Sequence, residues 1–315
     1  MIASLPQIAQ ELKEHQAIFI LCHQNPDGDT LGSGFALSNA LRQMGKQTKV
    51  LCSDEVPKKF AYLMEEYTEQ DFEPDLVVSV DVADPQLLGK KLEAYKAGVD
   101  ICIDHHKINK MTAALSFVEE TAAAACEIMV ALLKELPVRF TKQIADCLYT
   151  GLCTDTGCFK FSNTTPRTHR LAAEMMEYGC DYERINRELF DTKTRGRIQV
   201  ERAVLDSMEF YCGGQVALIV ISQALLQSSG MDSSELDGVS AIPRQIEGVE
   251  VGVTMRERPE GGYKVSLRTC QAVDAAMVCA ALGGGGHARA AGCAINRDLE
   301  TAKQLLLEQI APILE

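Results

Sequence analysis

His23, the pair Asp27 and Asp29, Asp81, and the run Asp104-His105-His106 are the residues of this 315-residue chain whose types could do chemistry together. Carboxylate oxygens mixed with imidazole nitrogens, with no thiolate among them, suit a hard or borderline divalent cation such as Mn2+, Mg2+ or Fe2+. Asp27 and Asp29 flank Gly28, so an extended loop could aim one carboxylate at each of two ions. A shared aspartate such as Asp81 could bridge such a pair at the ~3.5–4 Å spacing of two-metal hydrolases. Each residue also has an ordinary explanation. Asp-Gly pairs form turns, an aspartate after a strand often caps the next element, and neighbouring histidines can be plain surface residues. Asp155, in Thr154-Asp155-Thr156-Gly157, reads equally well as a local cap.

The positions of these residues set the group apart. Apolar runs at 17–22, 48–52, 76–80 and 99–103 predict four strands. The first runs into His23, the third ends at Asp81, and the fourth ends at Asp104, His105 and His106. Open α/β sheets bind ligands beyond the carboxyl ends of their strands, so these side chains should converge. Helices are expected over 31–44, stopped by Gly45 at a C′ position, over 58–67 and over 87–96. The pattern is then helical from 122 to about 189, broken by a loop at 157–165. This alternation predicts an α/β domain with a mainly parallel sheet flanked by helices over residues 1–190. A charged helical connector over 191–210 leads to a smaller α/β domain over 211–315. There, strands are expected at 216–221, 249–255 and 263–267, and helices at 274–282 and 299–310.

A second cluster lies in that smaller domain: Gly283-Gly284-Gly285-Gly286-His287. Consecutive glycines expose backbone N–H groups and let a phosphate or base approach closely. His287 and the upstream Arg268 could add cationic or hydrogen-bonding contacts to phosphate. A flexible linker is the ordinary alternative, but this stretch sits between an apolar helix and an apolar strand-like run. It reads as a binding loop.

Composition narrows the class of ligand. The formal charge is −13, whereas proteins that track long nucleic acid carry a basic stripe to neutralise phosphates. Small phosphorylated ligands are favoured over long polymers. The twelve cysteines include no Cys-x-x-Cys, and a chain this long needs no disulfide staples. No apolar run approaches the ~20 residues that span a bilayer, and the first residues do not resemble a signal peptide. A cytoplasmic protein without a membrane segment is expected, and nothing indicates an oligomer.

Taken in order, His23-Gln24-Asn25-Pro26-Asp27-Gly28-Asp29, Asp81, Asp104-His105-His106 and Asp155 resemble the four-motif pattern of the DHH phosphoesterases. The Gly283 to Gly292 stretch resembles the hallmark of the DHHA1 domain. Phe161-Ser162-Asn163-Thr164-Thr165-Pro166 is similar to the standalone nanoRNase branch. The resemblance covers about residues 15 to 295. It implies that His23, Asp27 and Asp81 hold one metal ion and that Asp29, Asp81, His105 and Asp155 hold a second, with manganese expected and magnesium or iron(II) also compatible. It implies that Asp104 orients His105, that His106 faces the substrate phosphate, and that Arg268 with Gly284, Gly285, Gly286 and His287 grips the far end of the substrate across a cleft between the domains.

The activity implied is hydrolysis of short oligoribonucleotides and dinucleotides such as pApA to mononucleotides by a two-metal-activated hydroxide, with 3′-phosphoadenosine 5′-phosphate as a further substrate. A cyclic di-AMP phosphodiesterase is the alternative enzyme. A nucleotide sensor that has lost catalysis is the alternative of another class, and it should lack at least one metal ligand. Cys22 and Cys153 lie beside ligand positions, where thiol oxidation or zinc would inhibit.

Overall fold

A computed structural model describes residues 2–231 and 235–314, which fall into two compact units, Met1–Thr192 and Lys193–Glu315. Among the described residues no helix is long and apolar enough to cross a membrane.

The first unit is built on a five-stranded sheet: β1 (Ala17–Leu21), β2 (Gln47–Leu51), β3 (Leu76–Val80), β4 (Val99–Asp104) and β5 (Ala113–Val118). Every pairing is parallel, in the order β2-β1-β3-β4-β5. Side chains alternate across the sheet. Ile18, Ile20, Val78, Val80, Ile101 and Ile103 enter one core. Leu21 and Cys102 enter a second core on the other face, with Phe19 and Val77 packed against it. Burial on both faces explains why these strands are apolar runs and not alternating ones. The chain leaves β1 toward β2 on one side and resumes at β3 on the other. The crevice between the carboxyl ends of β1 and β3 is therefore the switch point where doubly wound sheets bind ligands.

The helices α1 (Leu5–Glu14), α2 (Gly28–Gln43), α3 (Ala125–Lys134) and α4 (Lys142–Asp155) contribute to the first core, followed by α5 (Pro166–Glu177) and α6 (Tyr182–Asn186). Gly45, at φ +76°, ends the turn after α2 as expected. Two glycines on α2 let it pack closely against α4. A Cβ at Gly32 would meet the Cys147 carbonyl at 2.4 Å, and one at Gly28 would meet Thr154 at 2.5 Å.

Several local expectations fail for identifiable reasons. The helix expected over 87–96 is two short 3-10 turns, Pro85–Leu88 and Glu93–Tyr95, because Gly89 at φ +73° closes the first. The stretch 58–67 is likewise 3-10 over Lys58–Met64. The edge strand β5 was not anticipated. Its residues are only half buried, and it is defined by pairing with β4, a partner that periodicity within 113–118 does not reveal. Helix α1, begun by a capping box at Ser4 and Gln7, was also missed.

The second unit has a six-stranded mixed sheet of order β10-β11-β9-β8-β7-β6: β6 (Glu209–Tyr211), β7 (Val216–Ile221), β8 (Val251–Glu257), β9 (Tyr263–Thr269), β10 (Gly285–His287) and β11 (Ala290–Ile295). Only β7 and β8 are parallel neighbours. On one face, α10 (Ala275–Ala281) and α11 (Leu299–Leu314) bury Val253, Met255, Val265 and Leu267. On the other, α7 (Arg195–Asp206), α8 (Gln223–Ser229) and α9 (Leu236–Ser240) cover Ile219 and Ile221. The segment read as a connector contains α7, which packs within this unit through Val200 and Val204. The glycine run is not a free loop: Gly285–His287 forms the edge strand β10, hydrogen-bonded to β11.

Candidate metal centre

The side chains gathered at the β1/β3 switch point come from five places in the chain. His23 follows β1, Asp27 is the N-cap of α2, and Asp29 lies in its first turn. Asp27 earns its place structurally by accepting the N–H groups of Asp29 at 3.0 Å and Thr30 at 3.1 Å. Asp81 follows β3 in the left-handed region at φ +58°, an uncommon conformation for a non-glycine residue that occurs often at functional sites. Asp104 ends β4, with His105 and His106 after it, and Asp155 is the last residue of α4.

Each histidine is held by one ring nitrogen, leaving the other to the centre. His23 Nδ1 lies 2.9 Å from the Gln24 carbonyl, and His105 Nδ1 lies 3.1 Å from the Ala122 carbonyl. A carbonyl can only accept, so both rings carry their proton on Nδ1 and turn Nε2 inward. His23 Nε2 is 3.5 Å from Asp81 Oδ2 and 3.6 Å from Asp27 Oδ1. His105 Nε2 is 3.3 Å from Asp155 Oδ2, 3.5 Å from Asp81 Oδ1 and 3.7 Å from Asp29 Oδ2. His106 is held differently: its Nδ1 donates to Asp104 Oδ1 at 2.8 Å. This corrects the expectation that Asp104 orients His105. Asp104 is engaged by His106, while the turn after the β5 strand supplies the Ala122 carbonyl to His105.

Three groups of ligand atoms converge within 4.8 Å: His23 with Asp27 and Asp81, Asp29 with His105 and Asp155, and Asp81 with His105 and His106. Asp81 belongs to two of them. Asp81 Oδ1 and His105 Nε2 are both buried and have no hydrogen-bond partner. A buried polar atom left unpaired costs about 1–3 kcal/mol, and two such atoms facing one space fit a cation between them. The donor set, oxygens and imidazoles without sulfur, fits a hard or borderline divalent ion.

Electrostatics agree. Burial, then the charges of Asp155 and Asp81, push the Asp29 carboxyl well above its usual range. Asp155 rises to about 6 through burial and the charges of Asp27 and Asp81, against the opposing pull of the nearby His105 imidazole. Burial alone would lower the histidines. The facing carboxylates of Asp27 and Asp81 instead raise His23 to about 11, and those of Asp155 and Asp81 raise His105 to about 12. Without a metal ion the imidazoles take protons to offset crowded carboxylates, which is the charge a cation would supply.

Sequence reasoning missed the supports of this centre. Asn109 donates to Asp104 Oδ2 at 2.5 Å and accepts the Met111 N–H at 2.8 Å, so it fixes the carboxylate that holds His106. Asn163, in the stretch read only as a branch marker, donates to the carbonyls of Ala123 and Asp155, both at 3.0 Å, tying the end of α4 to the loop before α3. A Cβ at Gly151 would meet Cys126 Sγ at 2.2 Å and Asp29 Oδ1 at 2.6 Å. Asx side chains one turn past a strand and a glycine inside a helix were the available signals. Cys22 and Cys153 are fully buried, and burial pushes both thiols up. Neither offers a thiolate at neutral pH, which speaks against the expected oxidation sensitivity.

In the second unit, Arg268 on β9 is level with Ala290 on β11, which is level with His287 on β10. Paired residues share a face, so Arg268 and His287 stand on one row with a small alanine between them. Gly284 and Gly286 allow this edge to close on β11. Their Cβ atoms would meet the Gly292 carbonyl at 2.2 Å and Ala291 Cα at 2.5 Å, and Gly286 has φ +146°.

Residues 17–152 match the DHH family, N-terminal domain, and residues 214–313 match the DHHA1 domain. The bifunctional oligoribonuclease and PAP phosphatase NrnA of Thermus thermophilus is 33% identical over 309 residues, covering 96% of this chain and 92% of that protein. An exopolyphosphatase-related protein from Bacteroides fragilis shares the fold with a TM-score of 0.86 at 24% identity, covering 98% of this chain and 97% of that one. RecJ from Thermus thermophilus, solved in complex with Mn2+, gives a TM-score of 0.57 at 16% identity, covering 98% of this chain and 54% of that one. The chain belongs to the DHH family of phosphoesterases and carries a DHHA1 domain in its second unit.

Proposed function

We propose that this protein hydrolyses short oligoribonucleotides and dinucleotides such as pApA to mononucleotides, and also removes phosphate from 3′-phosphoadenosine 5′-phosphate, using two divalent ions, manganese foremost. The observation that carries this reading is Asp81, shared by two groups of ligand atoms and holding a buried oxygen with no partner. The relative of 33% identity, an oligoribonuclease and PAP phosphatase along nearly its whole length, supports the substrate class.

His23, Asp27 and Asp81 would hold one ion, and Asp29, Asp81, His105 and Asp155 the other. Bound ions would stabilise charge on the phosphoryl oxygens and make a water acidic enough to supply the nucleophile. The side chains do the rest. Ala122 and Gln24 carbonyls fix the His105 and His23 rings so that Nε2 is presented unprotonated once the ligands are filled. Asp104 fixes His106 through Nδ1. The half-exposed His106 ring is left with Nε2 toward the substrate, where it can hold a phosphoryl oxygen or pass a proton to the leaving oxygen. Arg268 and His287, with the amides of Gly284, Gly285 and Gly286, would grip the far phosphate or nucleoside. A chain of net charge −13 would thus bind an anion through local cations alone. We assign catalysis to residues 1–190 and substrate grip to 211–315. Twelve free thiols fit a cytoplasmic location.

The test is chromatographic product analysis with Mn2+ on pApA, a five-nucleotide RNA, a long RNA, cyclic di-AMP and 3′-phosphoadenosine 5′-phosphate, with Asp81→Ala as control. Fastest turnover of the dinucleotide and the short RNA, lost in the control, is expected. Preference for the long RNA or for cyclic di-AMP, or binding without turnover, would overturn the reading.

A further inference from the structure

Arg256 on β8 and Lys264 on β9 are directly opposed in the antiparallel register. Their side chains stand about 5 Å apart at Cβ, and like charges so placed destabilise a sheet. Among the described residues neither side chain has a hydrogen bond or an ion pair, although the chain has 44 acidic residues. The nearby carboxylates are engaged elsewhere: Glu257 accepts the Gln223 N–H at 2.8 Å, and Glu260 pairs with Arg258. An unrelieved cationic pair in an acidic protein asks for an anion.

The pair lines a groove of about 820 Å³ within the second unit. Val253, Met255, Val265 and Leu267 point into the core under the sheet, so Arg256, Lys264, Ser266 and Arg268 share the opposite face. The floor beside them is made of the small β11 residues Gly292 and Ala294, and Gly285 of the glycine strand also borders the groove. One wall is apolar, from Leu226, Met231 and Leu236. Arg268 lies four residues along β9 from Lys264, about 13 Å at the usual rise per residue. One open face thus carries two cationic stations joined by a floor low enough for a polymer to lie on.

We propose that Arg256 and Lys264 form a second phosphate station, which holds a distal phosphate of substrates longer than a dinucleotide while the apolar wall takes the adjoining nucleoside. This rests on the function proposed above and adds how substrate length would be read. A dinucleotide held at Arg268 and His287 leaves the second station empty, whereas a longer strand fills both. Beyond the pair, the further groove cation Arg258 is neutralised by its ion pair with Glu260, so the gain stops at a short length.

Lys264→Glu tests the station without threatening the fold, since it converts the opposed cations into an opposite-charge pair. The variant should melt at or above the wild-type temperature. Its kcat/KM for a five-nucleotide RNA relative to that for pApA should fall at least tenfold. Pentanucleotide binding, measured in the Asp81→Ala background, should lose salt dependence by about 0.7 in the logarithmic slope for each phosphate no longer neutralised. The double variant Arg256→Ala with Lys264→Ala should show the same ratio change. If the wild type cleaves both substrates and the ratio stays within twofold in both variants, the station is overturned and the proposed function stands. Equal losses on both substrates would also overturn it, because the pair would then serve every substrate. If the wild type cleaves neither, both readings fall.

Discussion

The carboxylate of Asp29 accepts the backbone N–H of Ala125 at 2.6 Å and that of Cys126 at 2.9 Å, across 96 and 97 residues of sequence. Helix α3 begins at these two amides, and its own N-cap residue, Ala124, has no side chain to satisfy them. Asp29 therefore caps α3 in trans while presenting its carboxylate to His105. One residue couples the candidate metal centre to the core that α3 helps to form.

Asp29→Ala should destabilise the protein even without metal. The loss of a buried cap costs about 1–3 kcal/mol. Asp155→Ala removes a ligand with no capping role and relieves carboxylate crowding, so metal-free stability should hold or rise. Thermal unfolding in chelator checks both. Equal metal-free melting of wild type and Asp29→Ala would show that the cap contributes nothing.

Metal binding should release protons. In the metal-free site burial opposes protonation, but the facing carboxylates of Asp27 and Asp81 hold His23 up to about 11, and those of Asp155 and Asp81 hold His105 up to about 12. Both imidazoles are thus protonated at neutral pH and must deprotonate to ligate. Apparent Mn2+ affinity should rise with pH, by about tenfold per pH unit for each proton displaced. Calorimetric titration in buffers of different ionisation enthalpy reads the proton count. A count of zero would contradict the arrangement.

Gly151→Ala should cripple the centre although alanine is the better helix former by about 1 kcal/mol. The added methyl would meet Cys126 Sγ at 2.2 Å and Asp29 Oδ1 at 2.6 Å, displacing both a candidate ligand and the start of α3. We expect weaker Mn2+ binding by at least about tenfold, the lower range for disturbed ligand support. Retained affinity would mean that the helices yield.

Asn109→Ala should reduce turnover by about 10–100-fold, with KM changed less, because Asp104 loses one of its two side-chain partners and His106 its fixed orientation. The pH–rate profile should change as well, since the Asp104 hydrogen bond raises the pKa of His106. An unchanged profile with a lower rate would point to a purely structural role.

Glu201 on α7 accepts from Lys193 at 2.8 Å and Arg197 at 2.9 Å. Burial raises its carboxyl, but these hydrogen bonds prevail and hold it below the usual carboxylate range. A depressed carboxyl contributes stability above its unfolded pKa of about 4.3, and loses it as pH falls through the folded value. Glu201→Gln should therefore destabilise the protein by up to about 1 kcal/mol at pH 7, given the partly exposed partners. The difference should vanish toward pH 3. Unfolding of the two proteins across that range is the measurement, and a difference constant with pH would exclude the ion pairs as its cause.

The apolar runs before His23, Asp81 and Asp104 fixed three strand ends in the sequence, because a strand buried on both faces must be continuously hydrophobic. The convergence of His23, Asp27, Asp29, Asp81 and His105 followed from parallel strands ending on one side, whereas Asp155, at the end of helix α4, was added only by the family resemblance. Edge strands were not legible in this way. Neither β5, half buried, nor β10, composed of glycines and one histidine, carries a pattern of its own, and each exists through hydrogen bonds to a neighbour. The 3-10 turns at 58–64 and 85–95 likewise mimic helices in composition. The sequence by itself determined which residues offer ligand atoms and at which strand ends they stand, since residue chemistry and local burial are properties of short segments. Only the tertiary structure decided that Asp104 holds His106 and not His105, that Asp29 caps α3, and that Arg256 faces Lys264 unpaired. Asp29 reaches amides 96 and 97 residues away, and the other two contacts, though near in sequence, depend on ring orientation and strand register that residue types alone do not encode.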